Sequence, residues 1–171
     1  LDVNVKPAVG NEITLSTCQL DFCLPAKFNL SYVDKDGEKK TPVVLHRAIL
    51  GSLDRFMAYI LEETKGNLPT WLAPMQVKIL PITDGQHEYA YKLKEELITE
   101  GIRVEVDDRN EKTGYKIREA QLQRIPYMLI VGAKEVEENT ISVRSRKDGD
   151  IGTMKVKEFK EKIIDEIEKK N

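Results

Sequence analysis

Short apolar strands alternate with amphipathic helices between residues 77 and 167, and this alternation constrains the fold more than any other sequence feature. Four segments have the composition of strands, namely Val77–Leu80, Ile102–Val106, Tyr127–Val131 and Thr140–Ser145. Three have helical periodicity, namely Gln86–Glu100, Gly114–Gln123 and a final helix that carries Val156, Phe159, Ile163 and Ile167. Tyr127–Val131 is apolar throughout, as expected of a central strand covered on both faces. The alternation predicts an α/β sandwich with a mainly parallel or mixed sheet.

The first 68 residues have a different pattern. Leu15–Phe22 and Pro42–Ala48 favour strands, and the polar segment Asp34–Lys40 between them contains the Asp-Gly pair typical of a hairpin turn. An apolar-periodic helix then runs to about Glu63. Two strands and one helix bury too little surface to form a stable domain alone. We therefore expect this half to be the remnant of a larger domain.

A proline-containing connector separates the two halves. Pro69 and Pro74 flank Trp71, and Gly66-Asn67 interrupts the preceding helix. Such residues favour a semi-rigid linker. The sequence thus predicts a domain remnant at 1–68, a linker at 69–75 and a second domain at 76–171.

Charge and composition limit the possible partners. The chain has 27 Lys and Arg against 29 Asp and Glu, so any contact with nucleic acid must be local. No apolar run is long enough to span a bilayer, which predicts no membrane partner. Cys18 and Cys23 lack the spacing of a zinc knuckle and suggest a reduced, cytoplasmic setting. The start at Leu1, without an initiator methionine, predicts a piece trimmed from a larger protein.

The stretch from His46 to Phe56 is the strongest candidate for chemistry. A strand ends near the imidazole of His46, and Ser52 is a good N-cap for the helix that follows. Arg55 lies in the first turn of that helix, where a cation is normally unfavourable. An anionic ligand at this helix start would use both the charge of Arg55 and the free backbone N–H groups.

This stretch resembles motif 3 of class II aminoacyl-tRNA synthetases, in the version of the threonyl-tRNA synthetase family. The segments before it that resemble the same family are Thr17–Phe22, Leu24-Pro25 and Phe28–Tyr32. The segments after it that resemble the family's anticodon-binding domain are Pro69–Pro74, Asp108–Lys112 and Arg124–Tyr127. The resemblance runs from about Gly10 to the C-terminus. It implies a remnant of the class II antiparallel sheet, followed by a three-layer anticodon-binding domain with a mixed, mainly parallel five-stranded sheet flanked by helices.

For the first half, the resemblance implies parts of an aminoacylation site. Arg55 matches the arginine that contacts ATP phosphates, where it stabilises developing charge. Thr17 and Gln19 match a strand that lines the adenylate pocket. His46 matches one of three protein ligands of a zinc ion that binds the amino and hydroxyl groups of threonine and so rejects valine. Without the resemblance, Arg55 would be interpreted as a surface cation, and His46 as a hydrogen-bonded structural residue.

The other two zinc ligands of the family, a Cys and a His, lie upstream of this chain. Cys18, Cys23 and His87 do not match them, and His87 is predicted to be a surface group at the start of a helix. The resemblance thus implies zinc, ATP and magnesium for the full-length enzyme. This fragment alone is expected to bind none of them and to be inactive.

For the second half, the resemblance implies residues that recognise the anticodon. Asn110, Glu135 and Arg144 match the base-contacting positions, and Lys112 and Arg124 match neighbouring positive positions. Single-stranded bases are read on their edges by such groups, although each of these residues alone would be interpreted as an ordinary surface residue. Asn110 and Glu135 each follow the end of a strand, and Arg144 projects from a strand face opposite Ile141 and Val143. Loops at the edge of such a sheet can converge there.

The resemblance implies that this chain is part of a threonine–tRNA ligase, which uses ATP to attach threonine to its tRNA, and that this fragment mainly supplies anticodon recognition. The predicted partners are threonine tRNA, with ATP, threonine and a second copy in a homodimer for the full-length enzyme. One alternative is a standalone, non-catalytic RNA-binding homologue of the anticodon domain, against which the residues Thr17–Gln19 and His46–Arg55 argue. A second alternative is a prolyl, histidyl or glycyl synthetase, whose motif 3 segments differ from this one.

Overall fold

The computed structural model describes residues 1–8 and 10–170. Val9 and Asn171, the last residue of the predicted second domain, lie outside the described residues. The chain forms two units, and the second begins at Asn67. Within the described residues, no helix combines the length and apolar character that a bilayer crossing requires.

The first unit is built on a three-stranded antiparallel sheet, in the order β1-β2-β5. Its elements are β1 (Asp2–Val5), β2 (Ile13–Asp21), α1 (Cys23–Lys27), β3 (Tyr32–Val33), β4 (Lys39–Lys40), β5 (Val44–Ala48) and α2 (Leu53–Glu63). The two predicted long strands pair as β2 and β5, and the predicted hairpin turn lies between β3 and β4. Several large apolar side chains of this unit are exposed, including Leu20, Phe22 and Leu45. Such exposure is typical of surface that another element would cover.

The second unit contains the alternating elements. They are β6 (Val77–Pro81), a short 3₁₀ turn (Asp84–Gln86), α3 (His87–Thr99), β7 (Val104–Val106), α4 (Thr113–Leu122), β8 (Tyr127–Val131), α5 (Ala133–Glu138), β9 (Thr140–Ser145), β10 (Gly149–Lys155) and α6 (Val156–Glu168). The strands form one sheet in the order β10-β9-β8-β6-β7. β6 pairs in parallel with β7 and β8, whereas β9 is antiparallel to both β8 and β10. Four strands therefore share one direction, and the predicted mixed five-stranded sheet is confirmed.

Both faces of this sheet are packed. The larger apolar cluster joins alternate residues of the strands to α3 and α6, with Ile79, Leu129, Leu97 and Phe159 fully buried. The smaller cluster, on the opposite face, joins Leu80 and Met128 to Ala120 of α4 and to Ile125. The three-layer arrangement follows from this alternation, because neighbouring residues of a strand point to opposite faces.

The predicted linker packs into the second unit. Leu68, Thr70 and Ala73 are buried. The guanidinium of Arg103 donates to the carbonyl oxygens of Ala73 (2.9 Å) and Trp71 (2.8 Å). The Thr70 hydroxyl also donates to Glu166 on α6. The segment is thus held by polar contacts along its length, while the boundaries at residues 68 and 76 stay a prediction.

Candidate functional site

The predicted residues of the first unit share one face of its sheet. Thr17, Gln19 and Asp21 alternate along β2 and therefore point to the same side. Gln19 lies directly opposite His46 on β5, so the imidazole belongs to the same face. Gln19 and His46 are exposed and Thr17 is partly exposed. The antiparallel register thus brings three of the predicted residues onto one accessible polar surface.

The environment of His46 suits one metal ligand, but not a complete metal site. Its Nε2 lies 3.5 Å from Oδ2 of Asp21, and the side chain is 52% exposed. Backbone N–H groups of Leu24 and Cys23 donate to Oδ1 of Asp21, and these bonds lower the pKa of that carboxyl group. In residues 1–8 and 10–170, no group of three His, Cys, Asp or Glu side chains could hold a metal ion. The imidazole therefore fits a zinc site only if other ligands complete it.

Arg55 is held at the start of α2. The Ser52 side chain accepts the backbone N–H of Arg55 (3.4 Å), which confirms Ser52 as the N-cap. Nη1 of Arg55 donates to the carbonyl oxygen of Thr14 on β2 (3.2 Å). Gly51 has φ +63°, and a Cβ there would overlap the carbonyl oxygen of Leu15. Only glycine allows this close approach, which fixes the helix start, and with it Arg55, against β2.

In the second unit, Asn110, Lys112 and Glu135 lie at the edge of the sheet where β6, β7 and β8 end. Lys112 precedes the first residue of α4. Asn110 lines a pocket of about 160 Å³ with Ile82, Thr83 and His87. This carboxyl edge, where chain crossovers leave in opposite directions, is where open α/β sheets bind ligands.

An ion pair between the buried carboxylate of Asp107 and the partly exposed guanidinium of Arg109 fixes the loop that carries Asn110. Arg109 donates through Nε and Nη2 to both carboxylate oxygens of Asp107 (2.8 and 2.7 Å), and Nη2 also lies 2.7 Å from Oε2 of Glu119. Asp107 is buried, and the hydrogen bonds from Arg109 hold the pKa of its carboxyl group below the usual value. The buried ammonium of Lys116 donates to the carbonyl oxygens of Asp107 (2.9 Å) and Pro81 (3.2 Å). No role is predicted from the sequence for Asp107, Lys116 or Glu119, although the charged run after β7 is visible in it.

Replacing the buried carboxylate should destabilise this loop in a pH-dependent way. We expect Asp107→Asn to lower the free energy of unfolding by about 1.5–3 kcal/mol at pH 7, the scale of a hydrogen bond to a charged group. Because the folded-state pKa of Asp107 is lowered, the stabilisation is present above the unfolded pKa and is lost as the pH falls through the folded value. Denaturant unfolding at pH 7 and pH 3 measures this. An equal deficit at both pH values would contradict the assignment.

Glu135 has a structural contact as well as its predicted role. Its Oε2 accepts the backbone N–H of Gly132 (2.9 Å), which caps the start of α5. A Cβ on Gly132 would lie 2.8 Å from that oxygen, so the glycine makes room for the carboxylate. Glu135 is therefore pre-positioned at the end of β8 and is partly exposed there.

Arg144 and Arg124 lie away from this edge. Arg144 pairs with Met128 near the start of β8, because β9 runs antiparallel to β8. Arg124 precedes β8, at the opposite edge, where its carbonyl oxygen accepts Nη1 of Arg146 (2.6 Å). The five predicted residues thus do not converge at one edge. They lie along the sheet, from the carboxyl edge to the amino edge.

Two known families match different parts of the chain. The family described as "Anticodon binding domain" matches residues 76–166, and the family described as "tRNA synthetase class II core domain (G, H, P, S and T)" matches residues 2–64. Similar proteins include the threonine–tRNA ligase of Caldanaerobacter subterraneus subsp. tengcongensis, which is 55% identical over 98% of this chain and 26% of its own length. That of Clostridium botulinum is 54% identical over 99% of this chain and 27% of its own length. The chain spans about a quarter of these relatives.

Two solved structures share the fold. The RNA binding domain of threonyl-tRNA synthetase from Cryptosporidium parvum Iowa II superposes with a TM-score of 0.85 at 37% identity, covering 96% of this chain and 42% of that one. Prolyl-tRNA synthetase from Cryptosporidium parvum superposes with a TM-score of 0.75 at 23% identity, covering 94% and 36%, and supports the fold alone. The resemblance predicted from the sequence is confirmed. The chain belongs to the anticodon-binding domain family of class II tRNA synthetases, and a segment of the class II core precedes that domain.

Proposed function

We propose that this chain is the part of a threonine–tRNA ligase that completes the catalytic site and recognises the anticodon. The observation that carries the proposal is the identity of 54–55% with threonine–tRNA ligases over nearly the whole chain. The exposed polar face of the first unit and the polar carboxyl edge of the second also support it. A standalone RNA-binding module would have no use for the first of these surfaces.

In the proposed catalytic step, Arg55 orients and neutralises the triphosphate of ATP while the threonine carboxylate attacks. Its guanidinium has five N–H donors, and the bond to Thr14 fixes its position. The remaining donors can face phosphate oxygens, so the arginine is preorganised for charge that develops in the transition state. Gln19 and Thr17 offer neutral hydrogen-bonding groups on the sheet face, which can orient the substrate without adding charge.

His46 would contribute one nitrogen ligand to a zinc ion whose other protein ligands lie outside this chain. Zinc bound there would hold the amino and hydroxyl groups of threonine, a contact that valine cannot make. The position of His46 opposite Gln19 supports this role, because both groups face the same side of the sheet. Magnesium would accompany ATP in the complete site, as is usual for phosphoryl chemistry.

In the proposed recognition step, Asn110 and Glu135 read bases at the carboxyl edge and Arg144 reads a base on the sheet face. A carboxylate such as Glu135 can accept from guanine N–H groups, and Arg144 can donate to base acceptors or stack on a ring. Lys112 and Arg124 would contact phosphates and set the register of the RNA. The threonine tRNA is thus the proposed macromolecular partner. The proposal also includes a cytoplasmic location, which the free thiols of Cys18 and Cys23 support. It includes a homodimer of the full-length enzyme as well.

Loss of a base-reading side chain should weaken RNA binding and reduce its selectivity. We expect Arg144→Ala or Glu135→Gln to weaken binding of the threonine tRNA anticodon arm by about 1–3 kcal/mol, because each removes a base-edge contact. Glu135→Gln retains an oxygen for the N–H of Gly132, so α5 should stay capped. Titrations with the cognate arm and with an altered anticodon measure both effects.

The matched control is Lys157→Ala. Lys157 is an exposed cation on α6, where the final helix carries no predicted RNA contact. Its replacement should leave the affinity nearly unchanged. If Arg144→Ala bound both arms as the unmodified chain does, Arg144 would be an ordinary surface cation.

A further inference from the structure

Ile82 is an apolar residue that the fold leaves exposed at the carboxyl edge of the second unit's sheet. It directly follows β6, and it is 46% exposed. Its backbone N–H donates to the carbonyl oxygen of Val131 at the end of β8 (2.9 Å), so the sheet fixes its position. Single exposed apolar side chains are common on protein surfaces. The informative property of Ile82 is therefore what lies around it.

Ile82 borders both residues that are predicted to read bases at this edge. It lines the pocket of about 160 Å³ to which Asn110 also contributes. Cδ1 of Ile82 and Oε2 of Glu135 lie 2.9 and 2.8 Å from the position that a Cβ on Gly132 would occupy. The isoleucine side chain thus lies next to the glycine that makes room for Glu135.

His87 adds a planar ring to the same pocket. It is the first residue of α3, its side chain is 29% exposed, and its Nε2 lies 3.7 Å from Oδ1 of Asp84. The backbone N–H of Thr83 donates to Oε1 of Gln86 (2.9 Å), which holds the turn between Ile82 and His87. Both side chains are thus carried by backbone that is already fixed, which lowers the ordering cost of binding.

The charges around this pocket disfavour a phosphate. Arg109 is already paired with two carboxylates, and the ammonium of Lys116 donates to two carbonyl oxygens. Asp84 and Glu111, which also line the pocket, are exposed acidic residues and would repel an anion. The pocket therefore favours a neutral planar group with polar edges. Among the parts of a single-stranded RNA, a base has these properties.

We propose that Ile82 and His87 form a stacking platform for the anticodon base whose edge Asn110 reads. The inference rests on the proposed function, because the occupant is a base of single-stranded RNA. Proteins hold such bases by packing on their faces and by hydrogen bonds to their edges. Stacking tolerates every base, since each has a π face. Ile82 and His87 therefore contribute affinity, whereas Asn110 contributes selectivity.

The first test measures binding of the threonine tRNA anticodon arm to the full 171-residue chain at several salt concentrations. We expect Ile82→Ala and His87→Ala each to weaken binding about three- to tenfold, because each removes surface that packs on the base. Ile82→Leu and His87→Phe keep that surface and should restore binding. The salt slope of log K should stay unchanged in Ile82→Ala, because no phosphate contact is lost. These variants should keep the preference for the cognate anticodon, unlike Asn110→Ala.

The second test identifies the base on the platform. Anticodon arms that carry an abasic nucleotide at one anticodon position should bind the unmodified chain more weakly. At the position that the platform holds, Ile82→Ala should cause no further loss, because the two changes remove the same contact. Additive losses at every anticodon position would overturn the platform.

Ile98→Ala is the matched control, because Ile98 is 45% exposed and lies near the end of α3, far along the helix from His87. It should bind as the unmodified chain does. Unchanged affinity of Ile82→Ala would overturn the platform, and unchanged affinity of His87→Ala would overturn the role of His87. Failure of the unmodified chain to bind the arm would instead overturn the proposed function.

Discussion

If the proposed function is right, replacing Arg55 by alanine in the full-length threonine–tRNA ligase should lower the rate of threonine activation by about 10²–10³-fold, the scale for losing one charge-stabilising group. The Arg55 guanidinium is held by the carbonyl oxygen of Thr14, and its helix start is fixed where Gly51 passes close to Leu15. The positive charge of Arg55 is therefore held at a defined position beside β2. Threonine-dependent exchange between ATP and pyrophosphate measures this step.

Two further variants make the test of Arg55 specific. Arg55→Lys keeps the charge but not the planar fork, so its activity should be intermediate. Lys35→Ala removes an exposed cation from the hairpin between β3 and β4 and should have no effect. An unchanged exchange rate in Arg55→Ala would remove this arginine from the site. The 171-residue chain alone is expected to catalyse no exchange, since it holds only part of the site.

The strands that the sequence predicts best are those whose burial follows a simple pattern. Tyr127–Val131 and Thr140–Ser145 have the predicted bounds, because one is almost entirely buried and the other alternates strictly between partly and fully buried residues. The end of α3, just before Gly101, was also predictable. That glycine has φ +78°, which makes it a favourable residue after the helix end.

Other elements depend on tertiary pairing and leave little trace in the sequence. β10 contains Gly149 and Gly152, both with positive φ, and a register shift between Asp150 and Gly152. Glycine is a poor strand former, so only the pairing with β9 establishes this strand. β1 is a four-residue edge strand and α5 a six-residue helix, both too short for a clear periodic signal.

The placement of the site residues depended on topology more than on residue type. Lys116 would be expected on the solvent side of a polar helix, yet it is buried because two carbonyl oxygens at strand ends accept its ammonium. Arg144 was expected on the strand face opposite Ile141 and Val143, and it lies there. Its distance from Glu135 was not predictable, because it depends on the antiparallel direction of β9, which places Arg144 beside the start of β8. Residue type thus indicated the chemistry, whereas strand direction determined the distances.

Under the proposed zinc role, replacing His46 by alanine in the full-length threonine–tRNA ligase should release zinc and abolish threonine activation. With one of three protein ligands lost, the metal would be weakly held and the contact that selects threonine would disappear. His46 stands on the exposed polar face beside Gln19, so its loss should not disturb a packed core. Metal analysis of the purified variant and the exchange assay measure the two effects separately.

The control for this prediction is another metal-capable side chain on the same sheet. Cys18 pairs with Arg47 and therefore lies on the opposite face of β2 from Gln19. Cys18→Ser should keep both zinc and activity, whereas loss of zinc in this variant would place the metal on the other face.

Asp21→Asn tests the remaining explanation, that His46 acts only through its 3.5 Å contact with Asp21. If His46 were only structural, His46→Ala and Asp21→Asn would lower the exchange activity to a similar extent, and both variants would keep stoichiometric zinc. If His46 is a ligand, only His46→Ala loses the metal outright, because Asp21 can at most orient the imidazole.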